Sequence, residues 1–392
     1  MRPDDDALGP AVLIGSRPAE GPAALAQLGV PFIWVVDPDE APPVAADGAI
    51  DIVQVPFRSD PLSVFRIPLP DPVCAVFSFT EFGSLPAALL SEALRLPTVP
   101  VAAVVRTRNK LLMRRALANA RVDTLPFGII GRDDPAPEDF PLIAKPVEGA
   151  GSKGIQFVPD LAGYRERITD LTGLLWERYV TGPEFSVEAV SDADGHHILG
   201  ITAKTTTGRP HFVETGHQTP AVLSPADAEA IRGCAVRCLD ALGISLGASH
   251  TEVKLENGLA VVIETHTRAG GDRIPLLTRL VSGLDQYELA IRSALPWVRP
   301  SAHSPLYSHA AVHYFPWQDV TVEEVTGLDE CRALDGVVEA EVELSGGHVP
   351  TWRYSHERPG HLVVGADSPE ELGRRITAAD ATVHVNLRDT TP

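Results

Sequence analysis

Lysine is scarce in this 392-residue chain and occupies only five positions, whereas the other 28 basic residues are arginine. The five lysines are Lys110, Lys145, Lys153, Lys204 and Lys254, so all of them lie between residues 110 and 254. A chain that otherwise uses arginine but keeps lysine in one region favours positions where a compact point charge is needed, as beside a phosphate. The alternative is that the lysines cluster by chance.

Other shortages exclude whole classes of protein. Lys and Arg total 33 against 52 Asp and Glu, and this net charge of -19 argues against a nucleic-acid-binding surface, which needs a basic field. No run approaches the roughly 20 apolar residues of a membrane span. The first residues, MRPDDDALGP, lack the basic start and apolar middle of a signal peptide, so we expect a cytoplasmic protein without a membrane partner.

Cysteine is also sparse. The four cysteines are Cys74, Cys234, Cys238 and Cys331, and the spacings typical of zinc modules are absent. We therefore expect four reduced thiols. The chain length predicts two or three domains.

The first hundred residues alternate strand-like and helix-like segments. "AVLIGS" (11–16) and "PFIWVVD" (31–37) are apolar runs typical of buried strands, and helical patterns cover 19–28 and 85–95. This alternation predicts a doubly wound parallel sheet. Because ligands bind beyond the carboxyl ends of such strands, Glu81 in "FSFTEFG" is a candidate site residue; the alternative is that it only starts the next helix.

A glycine-rich turn follows a basic helix predicted at 108–119. In "LIAKPVEGAGSKGIQF", Lys145 ends a strand and glycines surround Ser152. Glycines let backbone N–H groups approach an anion, as in a loop that covers phosphates. No helix follows, so this is not the G-x-x-x-x-G-K-[ST] loop. Lys145 favours phosphate binding over a plain hairpin.

The segment "HTEVKLENGLAVVIET" predicts a hairpin that carries two carboxylates. A two-residue Asn257-Gly258 turn would mix charged and apolar side chains on both faces. We therefore predict a three-residue loop at 256–258 that pairs Leu255 with Leu259 and makes Glu252 and Glu264 diagonal neighbours on one face. Two such carboxylates suit Mg²⁺, whereas a solvated polar face is the alternative.

The ordered motifs resemble the ATP-grasp superfamily, and within it the carboxylate-amine ligases close to the L-amino-acid ligases that make dipeptides. The motifs are "RNKLLMRRAL", "IAKPVEGAGSKG", "WERYVTGPEFSVE", "TEVKLENG" and "VIETHTRAGGDRIP". The resemblance is good over about 108–300 and looser outside it. It implies an α/β and α+β multidomain ATP-grasp fold: an N-terminal Rossmann-like domain (1–107), an ATP-grasp domain (108–300, with the lid in 108–190 and the metal and substrate residues in 191–300) and a small C-terminal α+β module (301–392).

The resemblance also implies the residues of an ATP and metal site. Lys110 and Lys145 would bind phosphate, Glu177 and Val180 would form the hinge that meets adenine, and Glu184 would accept hydrogen bonds from ribose. The implied ATP-binding set is Lys110, Lys145, Gly149, Gly151, Ser152, Lys153, Gly154, Glu177, Val180 and Glu184, and the implied metal set is Glu252, Glu264 and His266.

His266 departs from the superfamily, which commonly has Asn two residues beyond the second carboxylate. Three roles stay open for His266. It could contact a metal or phosphate, it could lie behind the ligands and contact a residue that binds the metal, or it could be a structural histidine.

For the substrates, the resemblance implies that Arg268 holds the reacting carboxylate, that Glu214 and His217 in "FVETGHQTPA" face the amino acids, and that Glu81 meets an ammonium group. The implied substrate-binding set is Glu81, Glu214, His217, Arg268, Gly270 and Gly271, and the implied catalytic set is Arg268, Lys145, His217 and Glu214. Either Glu214 or His217 could take the proton of the attacking amine.

The resemblance implies an ATP-dependent ligase that joins a small-molecule carboxylate to a small-molecule amine through an acyl phosphate, with ATP and two Mg²⁺ ions that Mn²⁺ could replace. Two amino acids are the expected substrates, and a homodimer is left open. One alternative is a ligase for a non-proteinogenic acid or amine in natural-product biosynthesis. Another is a nucleotide-binding module without turnover.

Overall fold

The computed structural model describes residues 9–40, 47–149, 151, 153–344 and 347–387. The N-terminal segment forms the parallel sheet that the alternating pattern predicted, with strand order β3-β2-β1-β4. Its elements are β1 (Ala11–Ile14), α1 (Glu20–Gln27), β2 (Phe32–Val36), β3 (Ala49–Gln54), β4 (Ala75–Phe77) and α2 (Ser84–Leu94), with a 3-10 turn at Pro61–Arg66.

A small antiparallel sheet of order β5-β8-β6-β7 comes next. The basic helix begins at Lys110 because the Asn109 side chain accepts a hydrogen bond from the backbone N–H of Leu112 and separates it from the preceding helix. The elements are α3 (Val101–Arg108), α4 (Lys110–Asn119), β5 (Phe127–Ile129), β6 (Leu142–Lys145), β7 (Gln156–Val158), α5 (Leu161–Glu166), α6 (Ile168–Leu171) and β8 (Leu175–Arg178).

The largest sheet has the order β13-β12-β9-β10-β11-β14-β18-β16. Its first five strands and their helices are β9 (Glu184–Asp192), β10 (Gly195–Thr206), β11 (Glu214–Thr219), α7 (Pro225–Leu242), β12 (Gly247–Glu256), β13 (Leu259–His266), α8 (Ile274–Ser282) and α9 (Gln286–Ala294).

The C-terminal segment shares this sheet, since β14, β18 and β16 complete it. A second, three-stranded sheet has the order β17-β15-β19. The elements are β14 (His309–Tyr314), β15 (Val320–Thr326), α10 (Leu328–Arg332), β16 (Val337–Val342), β17 (His348–Val349), β18 (Gly360–Ala366), α11 (Pro369–Thr382) and β19 (His384–Leu387), with a 3-10 turn at Ser355–Glu357. None of the helices in the described segments is long and apolar enough to cross a membrane.

Helix α7 covers one face of the large sheet. Its buried stripe, which includes Ile231, Cys238 and Leu242, packs against Val253 and Val262 of the β12–β13 hairpin. Ser224 caps its first turn, which begins with a proline, and a left-handed glycine follows its last. Because side chains alternate along a strand, burying these residues directs their polar neighbours to the opposite face, towards the small sheet.

The predicted turn of the β12–β13 hairpin is wrong. Asn257 and Gly258 have φ angles of 54° and 78° and form the two-residue turn that the prediction rejected. Glu256 therefore pairs with Leu259, and Leu255 pairs with Ala260 instead of Leu259. Leu259, which was expected on the apolar face, is 71% exposed.

A β-bulge explains how charged and apolar side chains stay on separate faces despite the two-residue turn. The register shifts between Glu252 and Val253, so that Ile263 is an extra residue on β13 and Glu252 pairs directly with Glu264 instead of diagonally. Val253 and Val262 stay in the core. The extra residue turns Glu264 to the same face as Glu252, as the prediction required, but by a different route.

Candidate functional site

A cavity of about 280 Å³ lies between the small sheet and the polar face of the large sheet. Lys110, Lys145, Lys153, Lys204 and Lys254 all line it, so the five lysines of the chain meet at one place. In a protein of net charge -19, this concentration of cations is suited to a polyanionic ligand.

The glycine-rich turn forms one wall. Gly149, Gly151 and Lys153 line the cavity, and the Gly149 carbonyl accepts a hydrogen bond of 2.8 Å from Lys110 Nζ. Gly154 packs behind this wall, beside the Pro146 ring. Ser152, named in the sequence prediction, lies outside the described residues.

Lys145 stands at the end of β6 and is held by a buried ion-pair cluster. Its Nζ lies 2.8 Å from Glu177 Oε2, and Arg114 Nε lies 2.7 Å from Glu177 Oε1. Burial alone would raise the pKa of Glu177, but Arg114 and Lys145 lower it to about 2. The Glu177 side chain therefore positions Lys145. The backbone of Glu177 pairs with neighbouring strands on both sides of the small sheet. The backbone edge that could meet adenine therefore begins after Glu177.

The sequence prediction missed Arg114, which also donates a 3.1 Å hydrogen bond to the carbonyl of the bulge residue Ile263. Arg114 thus joins the small sheet to the strand that carries Glu264. A signal was available in the sequence. Lys110, Met113, Arg114 and Leu117 are the buried positions of α4, and a basic residue within such an i, i+3, i+4, i+7 stripe indicates a buried ion pair.

The predicted hinge lines the cavity through Val180, whose carbonyl lies 3.4 Å from Lys254 Nζ. Lys254 Nζ also lies 5.1 Å from the centre of the Tyr179 ring, a cation–π distance. Beyond the hinge, Glu256 accepts hydrogen bonds from Arg178 and Thr181 and fixes the turn that leads into β9.

Lys204 is a second residue for which the sequence predicted no specific role. Its Nζ lies 2.8 Å from Glu184 Oε1, 2.8 Å from Glu252 Oε1 and 3.8 Å from Glu214 Oε1. Burial alone would lower its pKa, but Glu184 and Glu252 raise it well above the usual value. Lys204 therefore remains charged and links the predicted ribose acceptor to a predicted metal carboxylate.

The two predicted metal carboxylates face each other across β12 and β13 and are each held by cations. His250 Nε2 lies 3.2 Å from Glu252, and its Nδ1 lies 2.6 Å from the buried Glu188. Burial alone would lower the pKa of His250, but these two carboxylates, Glu188 foremost, raise it to about 9. Lys110 Nζ lies 3.2 Å from Glu264.

No three His, Cys, Asp or Glu side chains converge as a ready metal site in the part of the chain that the structure describes. The donors nevertheless fit Mg²⁺. Paired carboxylates supply hard oxygen ligands, and Mg²⁺ takes few protein ligands because it keeps water and substrate phosphates. Burial alone would raise the pKa of Glu264, but Lys110 and His266 lower it well below the usual range, so the carboxylate stays ionised.

His266 lies between two carboxylates. Its Nε2 is 3.2 Å from Glu264 Oε1, and its Nδ1 is 2.8 Å from Glu81 Oε2, an ion-pair contact without hydrogen-bond alignment. Burial alone would lower its pKa, but Glu81 and Glu264 raise it. A protonated imidazole has no lone pair for a metal, so this arrangement favours a place behind the ligands.

Arg268 meets Glu81 of the N-terminal sheet. Its Nε donates a 2.9 Å hydrogen bond to Glu81 Oε2, the same oxygen that faces His266. Burial alone would raise the pKa of Glu81, but His266 and Arg268 lower it to about 2. Glu81 thus reaches the site from the turn before α2, and it contacts an arginine and a histidine where an ammonium partner was expected.

The remaining predicted substrate residues contact three different parts of the chain. Glu214 Oε2 accepts a 2.6 Å hydrogen bond from Ser355, and His217 Nε2 lies 3.1 Å from Asp272. Gly271 lines the cavity, whereas the backbone N–H of Gly270 is taken by the buried Glu188. Sequence reasoning missed Ser355, Asp272 and the arginine that holds Asp272, because these contacts join distant parts of the chain.

Comparisons with known proteins match two parts of the chain to described families. The ATP-grasp domain family matches residues 138–275, and "L-amino acid ligase C-terminal domain 2" matches 313–388. The chain therefore contains an ATP-grasp domain. The fold resembles that of a solved relative: the crystal structure of L-amino acid ligase from Bacillus licheniformis matches with a TM-score of 0.84 and 25% identity, covering 97% of this chain and 99% of that chain.

Relatives of named activity in these comparisons are also amino acid ligases. Dapdiamide A synthase from Enterobacter agglomerans is 24% identical over 69% of each chain. Alanine–anticapsin ligase from Bacillus subtilis is 28% identical over 55% of this chain and 53% of its own length. The chain spans about half the length of several of the curated relatives it matches.

Proposed function

We propose that this protein is an ATP-dependent ligase that forms an amide bond between the carboxylate of one amino acid and the amine of another, releasing ADP and phosphate. The observation that carries the proposal is the register of the β12–β13 hairpin, which sets Glu252 opposite Glu264 on the wall of the cavity where all five lysines meet. That combination is suited to a nucleoside triphosphate with its divalent cation.

Glu252 and Glu264 would hold Mg²⁺, with Mn²⁺ as a substitute and two ions as the expected number, and the metal would neutralise phosphate charge when bound. Metal binding requires Lys204 and Lys110 to release these carboxylates, since each lysine contacts one of them. The freed ammonium groups then stand beside the phosphates. Charge neutralisation and positioning account for most of the catalysis of phosphoryl transfer.

In the first half-reaction, the substrate carboxylate attacks the terminal phosphorus of ATP, forming an acyl phosphate and ADP. Lys145, fixed by Glu177, holds the transferring phosphoryl group, and Arg268 holds the carboxylate. Arg268 must exchange its contact with Glu81 for the substrate. In the second half-reaction an amine attacks the acyl carbon, and phosphate leaves. Gly149, Gly151 and Lys153, which line the cavity, would help to exclude water that hydrolyses the intermediate.

The test is phosphate release from ATP and Mg²⁺ with pairwise pools of amino acids, followed by mass spectrometry of the products. Two relatives are named for dapdiamide A and for anticapsin, so non-proteinogenic acids and amines belong in the pools. We expect amide products equal in amount to the phosphate released. Absence of amino-acid-stimulated phosphate release across the pools would favour a nucleotide-binding module without turnover.

Glu264→Gln tests the metal assignment. The variant removes the charge that a metal ion requires, so we expect turnover to fall by about 10²-fold or more. Glu229→Gln on the exposed face of α7 is the matched control and should behave as the wild type. Normal turnover of Glu264→Gln would overturn the metal assignment while leaving the ligase assignment to the amide assay.

A further inference from the structure

One ring nitrogen of His217 has a hydrogen-bond partner, and the other has none among the described residues. Its side chain is 1% exposed, and the residue lines the cavity from β11. Nε2 lies 3.1 Å from Asp272 Oδ2. Nδ1 is buried and has no hydrogen-bond partner within the described segments. A buried polar atom without a partner is costly, so its place on a cavity wall indicates a ligand group.

Asp272 is held by the C-terminal segment. Arg358 donates from Nη2 to Asp272 Oδ1 at 2.7 Å and from Nη1 to Oδ2 at 3.0 Å, a two-pronged contact that fixes the plane of the carboxylate. The guanidinium itself lies 3.6 Å from the centre of the Tyr314 ring on β14. The side chains that orient Asp272 therefore come from beyond residue 301.

The backbone at Asp272 is strained, which indicates a constrained role. Asp272 and Arg273 have φ angles of 54° and 61°, a left-handed conformation that costs energy in residues other than glycine. Arg273 is anchored to Glu339 and Glu341 at 3.0 and 3.4 Å, while Arg358 anchors Asp272. The C-terminal segment thus holds both residues of the strained pair.

These contacts set the tautomer of His217. Burial alone would raise the pKa of Asp272, but hydrogen bonds from His217 and Arg358 hold it well below its usual range. A carboxylate can only accept, so Nε2 carries the hydrogen and neutral His217 has its lone pair on Nδ1. Glu214, the other predicted base, already accepts a hydrogen bond from Ser355.

We propose that His217 Nδ1 takes a proton from the ammonium group of the amine substrate, and that Asp272 and Arg358 are positioning residues that orient the imidazole. The inference rests on the proposed ligase function and names its base. Nδ1 removes one proton, and the freed amine forms the C–N bond. The C–O bond to phosphate then breaks, and the leaving phosphate takes the second amine proton. The imidazolium returns its proton to water.

Other charged groups surround this histidine. Lys204 pairs directly with His217 across β10 and β11, and Glu214 stands three residues earlier on the same strand. The groups facing it or its partner are Asp272, Arg358, Lys204, Glu214 and Tyr314.

Hydroxylamine separates the two half-reactions, because it is uncharged at neutral pH and attacks an acyl phosphate without a base. We expect His217→Asn to lower amide formation by about 100-fold while hydroxamate formation changes less than about 3-fold. Equal loss of both products would overturn the assignment of His217 as the base. Absence of hydroxamate in the wild type would instead refute the proposed ligase function.

Asp272→Asn tests the orientation of the imidazole. The amide offers one acceptor oxygen to the three donors Arg358 Nη1, Arg358 Nη2 and His217 Nε2, so the contacts that orient the imidazole can no longer all be made. We expect a loss of amide formation similar to that of His217→Asn, again with hydroxamate retained. Wild-type amide formation by Asp272→Asn would overturn the role of Asp272.

Arg358→Met should lower amide formation by about 10-fold, and Arg358→Lys should restore part of it because the charge remains without the fork. The matched control is Arg374→Met, at an exposed position of α11. A role in orientation also predicts that the acid limb of the pH profile for the amine substrate moves in Arg358→Met, whereas the profile for hydroxylamine does not. Parallel profiles for both nucleophiles would contradict the role of Arg358.

Discussion

Replacing Glu177 by Gln is expected to lower the free energy of unfolding at pH 7 by about 3 kcal/mol. The substitution leaves the side chains of Arg114 and Lys145, which are 1% and 6% exposed, without their shared carboxylate. The fall of the Glu177 pKa from 4.5 to about 2 corresponds to about 3 kcal/mol. Breaking a buried ion pair from one side costs roughly 3–5 kcal/mol, which agrees.

Urea unfolding followed by circular dichroism measures this difference. Glu166→Gln, at an exposed position of α5, is the matched control and should change stability by less than about 0.5 kcal/mol. The double variant Glu177→Gln with Lys145→Met should recover part of the loss, because one buried cation is removed. A cost below about 1 kcal/mol for Glu177→Gln would refute the buried-cluster reasoning.

The lowered pKa of Glu177 also predicts how the stability of the protein depends on pH. The pKa of Glu177 is lower in the folded protein than in the unfolded chain, so its stabilisation is complete above about pH 4.5 and is lost as the pH falls towards 2. The stability difference between wild type and Glu177→Gln should therefore be constant from about pH 5 to 8 and shrink in more acidic solution. A difference that shrinks between pH values of about 8 and 6 would contradict this assignment.

Three further predictions concern single residues. Gly182→Ala would place a Cβ against the Leu255 carbonyl oxygen at a φ of 91°, so we expect the free energy of unfolding in urea to fall by about 2 kcal/mol or more and ATP binding to weaken. His266→Asn introduces the residue that is common in the superfamily. If His266 lies behind the ligands, the Mg²⁺ concentration for half-maximal activity should stay within about 3-fold of wild type, and a larger increase would indicate that His266 binds the metal. Burial raises the pKa of Cys238 to about 12, so iodoacetamide at pH 8 should label it only after unfolding.

Much of the site could be predicted because its signals are local. Lys145 ends an apolar strand beside glycines, Glu252 alternates with apolar residues along its strand, and Glu264 ends an apolar run. The motif resemblance supplied the order of these pieces. The confinement of lysine to one region also proved informative, since a cavity gathers all five.

The remainder depends on long-range geometry that no local pattern encodes. The bulge at Ile263 reverses side-chain parity, and no turn residue or glycine marks it. Arg358 reaches Asp272 across 86 residues of chain, and Arg273 reaches the C-terminal strands on the other side. Contacts of this kind follow from how the C-terminal strands extend the large sheet, which the predicted separate module did not anticipate.

The most direct test of the central claim follows one oxygen atom. A carboxylate substrate identified in the pools is labelled with oxygen-18, and the phosphate released during amide formation is analysed by mass spectrometry. Attack of that carboxylate on ATP makes an acyl phosphate, so each amide formed should deliver one labelled oxygen to phosphate. Unlabelled phosphate, or label found in AMP, would contradict the proposed reaction.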